Sequence, residues 1–358
     1  MFSVRPLGRV LLMGVAAAVV AGACGSTGST GSAVGSGSLT GAGATFPAPF
    51  YTKAFYTYTQ QYPQVTVNYQ SVGSGAGIQQ FIKGTVDFGA SDVPMGSADI
   101  TSAGGPDTLT QIPATLGVIA IAYNLSGVSK LQLDGPALAN IYLGHIKKWN
   151  DPALVALNAG VTLPSTEIQV VHRTDSSGTS YHFTDYLGKV SDEWKTKVGV
   201  GKAVSWPAGI GGSGNQGVAQ AVTTTAGAIG YVELAYVVSA NMTQAFLKNK
   251  DGNFVQASVA GATAAAAQNT SVSPTNFSIT NEPGADSYPI AAFSWLIVKT
   301  SYSDTNKGKA IVYMLKWLVT DGQTIGSSLQ YAPLPTTVQT LAESNLKLIK
   351  AGGQTVLS

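Results

Sequence analysis

"VTVNYQSVGSGAGIQQFI", residues 65–82, carries the two periodicities that decide the fold. Alternation through Val65, Val67 and Tyr69 predicts a half-buried strand, three glycines in 72–77 predict a loop, and Ile78, Phe81 and Ile82 recur at helical spacing. A strand that runs through a glycine loop into a helix is an α/β unit. The bare loop also lets something approach the amides at the helix start, and an anion is one candidate.

The pattern repeats outward. Short apolar, β-branched runs at 86–90, 117–123, 168–172, 228–232 and 290–299 read as strands, and 51–62, 77–83, 135–143, 179–187, 217–224 and 307–320 read as helices. Together they predict an α/β protein with mostly parallel sheets. No internal repeat is present.

The 358 residues, 44% of them hydrophobic, suffice for two domains of ordinary size. Charged residues make up 11%, against about a quarter in an ordinary soluble domain, while Gly, Ser and Thr are abundant. A net charge of +2, spread over scattered Lys and Arg, is no nucleic-acid footprint.

Arg5 and Arg9 precede an apolar stretch at 10–23, the layout of a secretory signal over 1–23. A membrane span needs about twenty apolar residues, and this stretch is shorter. Cys24, the only cysteine, follows the small-residue run Ala21-Gly22-Ala23 and resembles the lipidated cysteine of a bacterial lipoprotein. Ala21 stands where such a box usually has Leu, and ordinary signal cleavage beside an incidental cysteine is the alternative. Residues 24–38 then read as a flexible tether holding a globular body clear of a bilayer.

Three helix starts share one chemistry: Gly41-Ala42-Gly43-Ala44-Thr45-Phe46-Pro47, Gly73-Ser74-Gly75-Ala76-Gly77 and Asp175-Ser176-Ser177-Gly178-Thr179. Unpaired N–H groups and a partial positive charge make such starts anion sites, although Ser and Thr are also ordinary caps. Arg173 ends an apolar strand just before the third start and can lean over it, with Asp175 placed to orient the guanidinium. A surface Arg–Asp pair is the other reading.

With these segments in hand, the sequence resembles the phosphate-binding subunit of the bacterial high-affinity phosphate ABC transporter. The matching residues include Leu39-Thr40-Gly41-Ala42-Gly43-Ala44-Thr45-Phe46-Pro47, Asn68-Tyr69-Gln70 with Gly73-Ser74, Asp87-Phe88-Gly89-Ala90-Ser91-Asp92, Ile146-Lys147-Lys148-Trp149, Arg173-Thr174-Asp175 with Ser177-Gly178-Thr179, and Gly227-Ala228-Ile229-Gly230-Tyr231. They run in family order over nearly all of the mature chain.

The resemblance implies a type II periplasmic-binding-protein fold, with two α/β lobes joined by a two-crossover hinge. Lobe 1 is expected at about 39–114 plus 290–358 and lobe 2 at about 115–289, with crossings near Pro113 and near Tyr288-Pro289. It implies phosphate contacts from Thr45, Phe46 (through its backbone), Ser74, Asp92, Arg173, Ser177, Gly178 and Thr179. It also implies a monomer without cofactor that passes inorganic phosphate to membrane permease subunits.

Asp92 adds selectivity. A carboxylate beside an anion repels it unless a proton lies between them, so Asp92 accepts from a protonated phosphate oxygen and disfavours sulfate. Ser176 stands where the family often has Gly, and Ser71, Val72 and Ala76 also depart from its pattern. Residues 256–273 are expected to form a surface loop or hairpin.

Other classes fit less well. Gly211-Gly212-Ser213-Gly214-Asn215 fails the nucleophile-elbow pattern at its last position and follows no clear strand. His145, His172 and His182 share no helical metal face, and no phosphate-loop motif occurs. Sites for molybdate, tungstate or sulfate rely on neutral donors, which Asp92 argues against. Tyr51, Phe55, Tyr58 and Tyr62, like Trp149, Trp206, Trp295 and Trp317, read as packing residues.

Overall fold

The structure, a computed structural model, describes residues 33–357. The expected signal at 1–23, Cys24 and the tether up to residue 32 lie outside the described residues. The end of the expected tether is already part of the fold: Gly37 and Ser38 pair with Val65 and Thr66, and the strand Gly37–Gly43 starts before the expected lobe boundary at 39.

Most described strands belong to one ten-stranded sheet. Its main path runs Val65–Ser71, Gly37–Gly43, Phe88–Ser91, Ile290–Lys299, Leu109–Tyr123, Ala228–Glu233, Gln169–Arg173, Ile210–Gly212. The wings are parallel: Gly37–Gly43 between its two neighbours, and Gln169–Arg173 between Ala228–Glu233 and Ile210–Gly212. The centre is antiparallel, which corrects the expectation of mostly parallel pairing. A strand buried on both faces is a continuous apolar run in either direction, so its sequence does not reveal its partner's direction.

Leu109–Tyr123 exchanges partners along its length. Residues 109–118 pair with Ile290–Lys299, and 119–123 pair with Ala228–Glu233. The strand begins eight residues before the expected 117 and runs through Pro113, which lacks an N–H. Its register against the partner shifts between Ser294 and Trp295, opposite Pro113 and Thr115, where an irregular ladder tolerates proline.

Helices flank the wings. Ala48–Gln61 buries Tyr51, Phe55 and Tyr58 as the aromatic spacing predicts, and Tyr62 packs partly buried beside them. Trp149 and Trp295 are fully buried, while Trp206 is partly buried against Tyr142 and Tyr231. The 256–273 segment differs from expectation: Val259–Ala266 is a helix, capped by Ser258 and packed on Leu109–Tyr123 through Ala262, Ala265 and Ala266. Alanine is the best helix former, but an alanine run has no apolar periodicity to read.

Candidate functional site

The three glycine–hydroxyl helix starts converge. Gly37–Gly43 delivers Thr45 ahead of the Ala48–Gln61 helix, Val65–Ser71 leads to Ser74 at the first turn of Ser74–Ile82, and Gln169–Arg173 leads to Gly178–Val190. Phe88–Ser91 adds Asp92. Thr45, Ser74, Asp92, Arg173, Ser177 and Thr179 are all buried, none more than 3% exposed. So many polar groups stay inside only because each is hydrogen-bonded.

Ser74 is the junction between two of these starts. Its Oγ accepts from the Gly178 N–H at 3.1 Å and the Asp92 N–H at 3.3 Å, while the hydroxyl faces Asp92 Oδ2 at 3.4 Å. The Gly75 N–H donates to the Ser176 carbonyl at 2.9 Å. Gly178 has to lack a side chain here: a Cβ would sit 2.5 Å from the Asp92 Cβ and 2.7 Å from Ser74 Oγ. Gly73, at φ +96°, makes the turn into its helix and lies against Asp175.

Arg173 is held from three sides. Nε donates to Asp175 Oδ1 at 2.8 Å, Nη2 donates to Oδ2 of the same carboxylate, and Nη1 donates to Thr179 Oγ1 at 3.3 Å. Asp175 also accepts from the Gly214 N–H at 3.0 Å. Burial works against its charge, but the Arg173 hydrogen bonds and charge, with the Gly214 amide, hold its carboxyl below the usual range. The fork between Arg173 and Asp175 thus fixes the guanidinium plane over the helix start.

Asp92 behaves in the opposite way. Burial pushes its carboxyl up to about 7, against the lowering effects of the Ser294 hydrogen bond, the Arg173 charge and Ser74. The Ser294 hydroxyl donates to Oδ1 at 2.7 Å. The Asp92 carbonyl lies 2.8 Å from His182 Nε2, and since a carbonyl only accepts, that nitrogen carries the proton.

The other expected residues divide. Ser177 caps its helix by accepting from the Ser180 N–H at 3.1 Å, and its own N–H donates to the Lys202 carbonyl at 2.8 Å, so that amide is turned away from the cluster. The Phe46 ring is core, and its carbonyl accepts from the Tyr331 hydroxyl at 2.6 Å. Its backbone therefore has its N–H left to offer. The histidines are structural or exposed: His182 is buried, His172 stacks on Trp206, and His145 meets Glu193 at the surface.

Asn215 was missed by sequence reasoning. It is fully buried at the start of Gly214–Thr224, and its Nδ2 reaches both Thr45 Oγ1 (2.9 Å) and Thr179 Oγ1 (3.1 Å). The available signal was a fourth glycine–serine helix start, Gly211-Gly212-Ser213-Gly214-Asn215, which sequence reading weighed only as a hydrolase elbow. Ser294 was also missed; its signal is a lone hydroxyl in the apolar run 290–299.

Among the described residues no group of three or more His, Cys, Asp or Glu side chains is placed to hold a metal ion. The cluster instead gathers one guanidinium, several hydroxyls and one carboxyl with a pKa near neutrality. Such a set can bind an oxyanion that itself carries a proton.

A family profile described as the PBP superfamily domain matches residues 28–321. The chain is 45% identical over 302 residues to the phosphate-binding protein PstS of Pasteurella multocida, covering 83% of this chain and 86% of that one. It is 43% identical over 305 residues to the PstS of Xylella fastidiosa strain 9a5c, covering 83% and 81%. Among solved structures, the high-affinity periplasmic phosphate-binding protein PfluDING superposes with a TM-score of 0.67 at 21% identity, over 86% of this chain and 93% of that one. A likeness at that identity speaks for the fold alone, a type II periplasmic-binding-protein architecture. By sequence, the chain belongs to the family of PstS phosphate-binding proteins.

Proposed function

We propose that this chain captures inorganic phosphate outside the cytoplasm and delivers it to the permease of a phosphate ABC transporter, as a binding protein and not as an enzyme. The observation that carries the reading is Asp92 facing Ser74 and Gly178 within a cluster that also contains Arg173. Donors alone would accept any tetrahedral oxyanion. A carboxylate among them rewards an oxyanion that still has a proton to donate, and sulfate near neutral pH has none.

The ligand contacts are assigned to Thr45, the Phe46 backbone, Ser74, Asp92, Arg173, Ser177, Gly178 and Thr179, with Asp175 supporting Arg173. Lobe 1 would comprise about 39–114 plus 290–358 and lobe 2 about 115–289. The exchange of strand partners between Val118 and Ile119 supports a crossing in that region. Thr45, Ser74 and Asp92 then come from one lobe, and Arg173, Ser177 and Thr179 from the other. The receptor works as a monomer, tethered to the membrane through a lipid on Cys24.

Calorimetry tests the central reading. The chain from residue 25 onward, freed of co-purified ligand by partial unfolding, is titrated with phosphate and then sulfate at neutral pH. Tight one-to-one phosphate binding without heat from sulfate is expected. Equal binding of sulfate would remove the selectivity assigned to Asp92, and silence from both would remove the function.

A further inference from the structure

We infer that Asn215 is a positioning residue that makes the Thr45 and Thr179 hydroxyls donate toward the anion, an inference that rests on this cluster being the phosphate site. The orientation of its amide is fixed from behind. Oδ1 accepts from the Glu233 N–H at 2.9 Å, and a backbone amide can only donate, so the side-chain NH2 must face the threonines.

That NH2 has two protons. One goes to Thr45 Oγ1 at 2.9 Å and the other to Thr179 Oγ1 at 3.1 Å. Each threonine oxygen has a second donor as well: the Asn215 backbone N–H at 3.1 Å from Thr45 Oγ1, and Arg173 Nη1 at 3.3 Å from Thr179 Oγ1.

A hydroxyl oxygen has two lone pairs and one proton. With both lone pairs engaged, each threonine can only donate. Neither proton is given to a described acceptor in any hydrogen bond the structure shows. Ser74 is the contrast: its lone pairs are also taken, by Asp92 and Gly178, but its hydroxyl faces the Asp92 carboxyl and so serves the acceptor of the site.

Asn215 has no N–H left for a ligand, so its effect on the anion must pass through the two threonines. It also joins Thr45, just past the first strand of the fold, to Thr179 on a helix 134 positions further along (179 − 45). Thr179 shares the proposed lobe 2 with Asn215 and is oriented before an anion arrives, whereas Thr45 is oriented as the lobes close, and the reorganisation that freely rotating hydroxyls would need is reduced.

A mutant cycle on the full mature chain, read by calorimetry with inorganic phosphate, tests this. Asn215→Ala is expected to weaken phosphate binding about tenfold or more, and the same change in a Thr45→Val/Thr179→Val background to cost less than about threefold. An undiminished loss in that background, or no loss in the parent, overturns the inference.

Asn215→Asp keeps the shape and the acceptor for the Glu233 N–H, which covers the case of an alanine variant that fails to fold. Ionised, it has no proton to give, so its loss of affinity at pH 8 should shrink at pH 5, where a buried carboxyl regains one. The shrinkage should be clearly smaller in the double-valine background, where only direct repulsion between the carboxylate and the anion remains. A loss equal at both pH values, or a pH dependence undiminished without the hydroxyls, would mean a packing or charge role instead. If the double-valine protein binds phosphate as well as the parent, the site assignment itself fails. If it weakens binding while Asn215→Ala does not, only the role of Asn215 fails.

Discussion

Asp92 and Arg173 are the two charged side chains that most directly set what the cluster can hold. Removing the Arg173 guanidinium deletes a charge-assisted contact worth about 1.5–3 kcal/mol, so Arg173→Ala should weaken phosphate binding by about tenfold or more in calorimetry. Unchanged affinity would take Arg173 out of the site. Asp92 makes a second prediction, in which pH is the variable. Its carboxyl titrates near 7 in the folded protein, against 3.8 as the ordinary value, so the folded state holds a proton that the unfolded chain has released between those limits. Stability from this group is present at acid pH and is lost as pH rises through about 7. His182 is pushed down and Glu233 up, chiefly by burial, and both side chains remain in the variant, so the informative quantity is a difference. The ligand-free melting temperature of Asp92→Asn minus that of wild type should increase from pH 5 to pH 8. A flat difference would show that Asp92 is already ionised in the fold over that range, with no raised pKa. The same variant should lose selectivity, because an amide can donate to sulfate where a carboxylate repels it.

At the level of elements, the site is built from strand ends that turn into helix starts, and that is also where the sequence was most readable. Glycine with Ser or Thr beside it is a local signal, so three of the contributing starts could be located from composition and spacing alone. The fourth, 211–215, has the same composition, but the value of Asn215 depends on a partner 170 positions away, and separation of that kind leaves no local trace. Ser294 was hidden for a related reason: it is one hydroxyl in a buried strand, and its partner Asp92 lies on another element. Residues 109–116 contain Pro113, which cannot donate to a ladder, and only the irregular ladder opposite it explains the continuity of the strand. Helix Gly178–Val190 gives a prediction that separates fold from closure. Alanine suits a helix better than glycine, so Gly178→Ala should not lower the ligand-free melting temperature. The added methyl would nonetheless collide with Asp92 and Ser74 in the arrangement seen here. Phosphate affinity should therefore fall by about tenfold or more while the fold is kept; a simple loss of stability without loss of affinity would contradict that geometry.

For the whole molecule, the question is what holds the two proposed lobes together around the ligand. Several hydrogen bonds cross between them directly: Gly178 N–H to Ser74, Gly75 N–H to the Ser176 carbonyl, and His182 to the Asp92 carbonyl, while Glu233 Oε2 lies 3.0 Å from the Tyr331 hydroxyl. The Tyr236 hydroxyl adds a donation to the Thr45 carbonyl at 2.6 Å. That contact does not use any side chain assigned to the ligand, which makes it a probe of closure separate from recognition. A closed state is favoured only by what it gains over the open one, and phosphate adds its own contacts to this existing set. Removing one neutral hydrogen bond costs about 0.5–1.5 kcal/mol, equivalent to roughly a two- to tenfold change. Tyr236→Phe keeps the ring and removes only that bond, so stopped-flow measurements should show phosphate leaving two- to tenfold faster, with the entry rate nearly unchanged. Small-angle scattering without ligand should show a shift toward a more extended average shape. An unchanged release rate would mean that the Tyr236 bond is equally present in open and closed forms. In that case Tyr236 would belong to the scaffold, and the closing free energy would have to come from the ligand cluster itself.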